Sequence, residues 1–158
     1  MKFQRILIAI DDRKYSRHAA EYGFELAHTF KAEVALVHIV EPVVITQPND
    51  PSMLGAFVPS MGTENMEIEK IQEDQSKKLL DETIATLGDG LEVTQFSELG
   101  STADTIISCA VQFRANLIVI GTHKRSGFDR LLMGSVAERI LHHSPIPVLI
   151  VPAEEDMA

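Results

Sequence analysis

Ile118–Val136 reads IVIGTHKRSGFDRLLMGSV: an apolar run of strand length enters a glycine-punctuated basic loop, which delivers Gly134-Ser135 to the start of a helical pattern. Glycines let backbone amides approach a ligand closely. A helix start adds unpaired N–H donors and a partial positive charge. A strand, loop and helix in this order form an anion cradle, and a phosphate is its natural guest.

Outward from that stretch, apolar strand-length runs alternate with longer helical patterns, the signature of an α/β fold with a parallel sheet. Five strands are expected, at Arg5–Ile10, Glu33–Val40, Leu91–Ser97, Asn116–Ile120 and Ile146–Val151. Most are continuous Val/Ile/Leu runs, which implies burial on both faces. Four helices are expected. Ser16 reads as the N-cap of the first, whose inward face carries Ala19, Ala20, Gly23, Leu26, Ala27 and Phe30. The second spans about Glu64 to Leu87, with Ile68, Ile71, Leu79, Leu80, Ile84 and Leu87 in a charged background. The third covers Ala103–Phe113. The last starts near Gly134-Ser135 and stops before Ser144-Pro145, where proline blocks continuation.

The 158 residues, 45% of them hydrophobic, suffice for one core, so residues 1–158 are expected to form a single domain. No apolar run reaches the roughly 20 residues that span a bilayer, and the start MKFQRILIAIDD does not read as a signal peptide. A cytoplasmic location is expected. A net charge of −9 argues against nucleic-acid or anionic-membrane partners. His123, Lys124, Arg125 and Arg130 therefore form a local basic island. Cys109, the one cysteine, sits in the apolar pattern IISCAV and reads as core filler. Glu41–Thr63 holds four prolines and two glycines with no sustained period, long for a βα connection. It reads as a mobile loop, as a flap over the ligand cleft or as a partner-contacting arm.

In open α/β sheets ligands bind beyond the carboxyl ends of the strands, where successive crossovers change direction. The first strand ends at Asp11-Asp12, the second at His38-Ile39 and the fourth at Gly121. If the first and fourth strands are neighbours, those ends converge, with an acid that suits ribose hydroxyls facing a loop that suits phosphates. Neither a Walker loop nor a G-x-G-x-x-G turn after the first strand is present. Asp11-Asp12 resembles the acidic pair of receiver domains, but the middle-strand candidates end in Ser97-Glu98 and Gly121-Thr122 rather than in a phospho-accepting Asp. His38 reads as a hydrogen-bonded core histidine. His142 and His143 suit a helix C-terminus, and no metal-ligand spacing accompanies them.

Across nearly its whole length, from RILIAIDD through VALVHIVEP and ELGSTADTIISCA to GTHKRSGFDRLLMGSVAERILHHSPIPVLIVP, the chain resembles the universal stress protein (UspA-type) family. Nucleotide-binding members carry a glycine, two residues, a second glycine, nine residues, then Gly-Ser or Gly-Thr. Gly121 and Gly134-Ser135 match this pattern, and Lys124 stands at the second glycine. The resemblance implies a Rossmann-like five-stranded parallel sheet in order 3-2-1-4-5, with helices on both faces.

It further implies ATP or a related adenine nucleotide as ligand, with Mg2+ accompanying the phosphates. Asp11 matches the ribose-contacting acid, Ile39 the adenine-recognising position, and Ala9 another position lining the nucleotide. Gly121, Gly134, Ser135 and Val136 match the phosphate-contacting set, with His123, Lys124, Arg125 and Gly127 in the loop between. Lys124 can be read two ways: its side chain fills space a phosphate would use, or it supplies a cation while Gly127 keeps the loop adaptable. The residues favour a binding protein over a catalyst, with slow ATP hydrolysis as the enzyme-class alternative. The apolar run IPVLIVP reads as an edge strand, through which family members pair as homodimers.

Overall fold

The computed structural model describes residues 3–42, 61–123 and 134–154, with the side chains of 61–65 left aside. Five strands and four helices alternate: β1 (Arg5–Ala9), α1 (Lys14–Phe30), β2 (Glu33–Val40), α2 (Met61–Leu87), β3 (Val93–Leu99), α3 (Thr102–Phe113), β4 (Leu117–Thr122), α4 (Ser135–His143) and β5 (Val148–Pro152). The strands form one sheet in the order β3-β2-β1-β4-β5, and every neighbouring pair is parallel. The expected fold class is what the chain adopts.

Alternation along the central strands feeds two cores. Leu7, Ala9, Val37, Ile39, Ile118 and Ile120 face α3 and α4, whose Ile106, Ala110 and Ile140 close that side. Ile6, Ile8, Val34, Leu36, Leu117 and Val119 face α1 and α2, where Ala19, Ala20, Phe24, Ala27 and Leu80 cover them. Parallel strands need crossover helices, and those helices bury both faces of β1, β2 and β4. The small residues of α1 let it lie very close to the sheet. A Cβ on Gly23 would stand 2.6 Å from Ile8 Cδ1.

Four expectations need correction. Ser16 does not cap α1: the helix starts at Lys14 with Arg13 as N-cap, and Ser16 is buried within its first turn. Its hydroxyl has a better use, accepting the Asp11 N–H at 2.7 Å. β3 is not buried on both faces, since only Phe96 is buried along it. β3 is an edge strand and lacks a neighbour on one side. β5, at the other edge, is mostly half-buried. Finally, α2 begins at Met61 rather than Glu64, and Ile68 and Ile71 are 37% and 56% exposed. The helix is 27 residues long, roughly 40 Å at ~1.5 Å per residue, against roughly 26 Å for the eight-residue β2. Its N-terminal half therefore overhangs the sheet.

Leu80 is the fully buried anchor of α2, with Leu79, Ile84 and Leu87 packed around it. Leu80→Ala should lower the unfolding free energy by about 2–5 kcal/mol in urea titrations. Ile71→Ala should cost under ~1 kcal/mol, because it removes little buried surface; equal losses would contradict this assignment of the buried face.

Candidate functional site

The sheet order puts β1 beside β4, and the crossovers leave these two strands on opposite sides. β1 leads through α1 to β2, and β4 leads through α4 to β5. Their carboxyl ends diverge into a cleft of about 870 Å³. Ala9, Asp11, Ile39, Gly121, His123, Gly134, Ser135 and Val136 all line it. Lys124, Arg125 and Gly127 lie outside the described residues, as does most of the Glu41–Thr63 stretch.

Asp11 is held from both sides. Its N–H donates to Ser16 Oγ, and its Oδ1 accepts the Arg13 N–H at 2.9 Å, closing the turn between β1 and α1. The carboxylate is half-buried and already oriented. Turn-capping and an outward-facing acid thus coexist in one residue. Across the cleft, Gly134 is the N-cap of α4, and among the described residues no side chain caps that helix start. Its N-terminal N–H groups are the kind of donors that an anion satisfies.

The two motif glycines do different work. A Cβ on Gly121 would lie 2.6 Å from the Tyr15 carbonyl oxygen and 3.2 Å from Ala19 Cβ, so this glycine is demanded by α1 packing across the end of β4. A Cβ on Gly134 would meet nothing within 4 Å. Among the described residues, no packing demands a glycine there.

Other cleft residues were passed over by sequence reading. Thr122 is buried, and its hydroxyl has no hydrogen-bond partner among the described residues. Such a group costs free energy until something satisfies it. Thr102 donates to Glu41 Oε1 at 2.5 Å, tying the end of β2 to the start of α3. Arg13 and Tyr15 also line the cleft. The only sequence signal for these residues was their place at strand ends and helix starts.

His38 is, as expected, a hydrogen-bonded histidine of the sheet. Its Nδ1 lies 2.7 Å from the buried Ser76 Oγ of α2, which lies 2.6 Å from Ser97 Oγ of β3. Burial holds its pKa below the usual value, against the opposing pull of Asp11 and Asp12. Cys109 is buried, and its thiol is pushed up to about 11 by burial and by Glu98, so it stays a neutral core group. His142 and His143 occupy the last turn of α4, where His143 Nδ1 lies 2.9 Å from the Arg139 carbonyl oxygen. No group of three metal-ligating side chains occurs among the described residues, and no described helix is long and apolar enough to cross a membrane.

Comparison with known proteins agrees with this architecture. Residues 2–152 match the model of the universal stress protein family. The chain belongs to that family. It is 30% identical over 155 residues to universal stress protein A homolog 1 of Coxiella burnetii, covering 98% of this chain and all of the relative. It is 29% identical over 153 residues to universal stress protein MJ0531 of Methanocaldococcus jannaschii, covering 94% and 82%. Among solved structures, hypothetical protein MJ0577 superposes with a TM-score of 0.77 at 20% identity, over 98% of this chain and 99% of that one. Two further universal stress proteins share the fold, one in complex with cAMP and one from Archaeoglobus fulgidus in complex with dAMP. Their TM-scores are 0.58 and 0.61, at 16% and 19% identity, with 96% and 95% of this chain and 98% of each of those chains covered.

Two outcomes follow from this geometry. Gly121→Ala should lose about 1–3 kcal/mol of stability in urea titrations through overpacking against Tyr15, whereas Gly134→Ser, which places a favoured N-cap in open space, should lose none. For His38, the depressed folded pKa means that the unfolded chain binds more protons below its ordinary 6.5. Stability held by the neutral ring is complete above that pH and declines as pH falls. His38→Asn should flatten the fall in urea midpoint between about pH 7 and pH 5; an unchanged slope would show that His38 does not set it.

Proposed function

We propose that the β1/β4 cleft binds ATP or a related adenine nucleotide, and that the chain acts as a one-domain, homodimeric stress-response binding protein of the cytoplasm. The observation that carries the reading is Gly134: it starts α4 with no side-chain cap and no atom within 4 Å of its Cβ position among the described residues, and it shares the cleft with the pre-oriented Asp11 carboxylate. The Thr122 hydroxyl, buried and without a hydrogen-bond partner among the described residues, adds a polar group that a ligand could satisfy. That two proteins of this fold carry cAMP and dAMP supports an adenine nucleotide as the ligand class.

In this reading Asp11 accepts hydrogen bonds from the ribose, the Ile39 backbone recognises the adenine, and Ala9 lines the nucleotide. Gly121, Gly134, Ser135 and Val136 meet the phosphates, with His123, Lys124, Arg125 and Gly127 completing the loop. Mg2+ would neutralise phosphate charge. Asp11, Asp12 and Glu41 are the described cleft carboxylates. The chain is read as a binding protein, with slow ATP hydrolysis as the enzyme-class alternative. The half-buried Val148, Leu149 and Ile150 of edge strand β5 support pairing with a second copy.

Mass spectrometry of small molecules released by heat from purified protein should find an adenine nucleotide. Finding none, together with no ATP binding by calorimetry, would favour a degenerate cleft. Asp11→Asn keeps the acceptor for the Arg13 N–H but removes the charge, and should weaken ATP binding about fivefold to tenfold. Sedimentation should give twice the 17.5 kDa chain mass; a monomer at micromolar concentration would remove the dimer from this reading.

A further inference from the structure

Arg13 is a cleft-lining cation in a specific setting. It follows Asp11-Asp12 and forms the N-cap of α1. Its Nη1 donates to Tyr15 Oη at 2.5 Å, and the guanidinium carbon stands 5.8 Å from the centroid of that ring. Tyr15 is buried against the end of β4, its carbonyl oxygen occupying the space that a Cβ on Gly121 would need. Its ring meets His123 edge-on, with centroids 5.7 Å apart. His123 directly follows β4 and begins the basic loop. Arg13, Tyr15 and His123 thus form a continuous chain of contacts from the β1 turn to the end of β4.

This arrangement matters because the described lining also carries Asp11, Asp12 and Glu41, in a chain of net charge −9. A polyanion entering there meets repulsion unless a cation is already in place. Among the described residues, the Tyr15 hydroxyl engages one of the five guanidinium donors, and the others suit a planar match to phosphate oxygens. Because hydroxyl and ring hold the guanidinium beforehand, less side-chain freedom is lost when an anion docks. The α4 start can accommodate one phosphate. A cation elsewhere in the same cleft is of use to a ligand whose charge extends further.

We propose that Arg13, held by Tyr15, contacts the phosphate chain of a nucleoside polyphosphate and sets a preference for ATP and ADP over AMP. Arg13 is then a specificity-determining residue, and the inference rests on the adenine-nucleotide reading of the cleft. The same cation gives little to a monophosphate seated at α4.

Calorimetry with ATP, AMP and adenosine on the native chain, Arg13→Ala and Tyr15→Phe tests this. Arg13→Ala should weaken ATP about tenfold to a hundredfold while leaving AMP and adenosine close to native. Tyr15→Phe keeps the ring and loses the hydroxyl hold, so it should weaken ATP selectively and by less. If the native chain binds ATP but Arg13→Ala lowers all three ligands equally, or none, the specificity role is overturned and the nucleotide reading stands. If the native chain binds none of the three, the nucleotide reading fails first and takes this one with it. Urea midpoints of both variants near the native value confirm that affinity, not folding, is being measured.

Discussion

Parallel pairing of β1 with both β2 and β4 is the constraint on which the rest of this molecule depends. The register places Ile6–Ala9 opposite Leu117–Ile120 on one side and Val34–Val37 on the other. A strand paired on both edges and covered on both faces must be apolar throughout, and Ile6, Leu7 and Ile8 are fully buried. Parallel neighbours cannot be joined by tight turns, so each strand end must lead into a helix. The two crossovers that leave β1 and β4 go opposite ways, and the cleft is the gap between them. Its position is a consequence of topology and requires no loop to create it.

Chemistry is then placed by what the crossovers need locally. Asp11 closes the β1–α1 turn with its carboxylate and backbone, and that same bonding orients it toward the cleft. Gly121 admits the first turn of α1 across the end of β4, and this brings Tyr15 beside His123. Asp11 and Gly121 thus serve the placement of α1. Gly134 differs, because no described atom crowds its Cβ position and no described side chain caps the start of α4. The polar network of His38, Ser76 and Ser97 has a similar economy. It fastens α2 to two strands while leaving the histidine neutral beside the cleft.

Much of the fold was legible because burial on two faces leaves long apolar runs that only a covered parallel sheet explains. The runs at Arg5–Ile10, Glu33–Val40 and Asn116–Ile120 all became central strands. Legibility failed where position in the sheet overrode local pattern. Leu91–Ser97 reads as one of five like strands, yet β3 lies at an edge and exposes most of its side chains. Ile68 and Ile71 continue the apolar spacing of α2 beyond the point where the sheet can cover it. Ser16 has the composition of an N-cap, but a nearer donor at Asp11 claimed its hydroxyl.

By itself the sequence determined the element order, the parallel sheet and the residues at strand ends, since periodicity and glycine placement are local properties of the chain. It also marked Asp11, Ile39, Gly121 and Gly134-Ser135, which the resemblance to universal stress proteins tied to one cleft. Only the tertiary structure decided that Gly121 is needed by α1, whereas no described packing requires a glycine at Gly134, because that difference depends on what lies across a gap from each missing Cβ. Only it joined Arg13 to Tyr15 and Tyr15 to His123, residues up to 110 positions apart that carry no shared pattern. Contacts made by side chains across a cleft leave no period in the sequence, and so they appear only when the chain has folded.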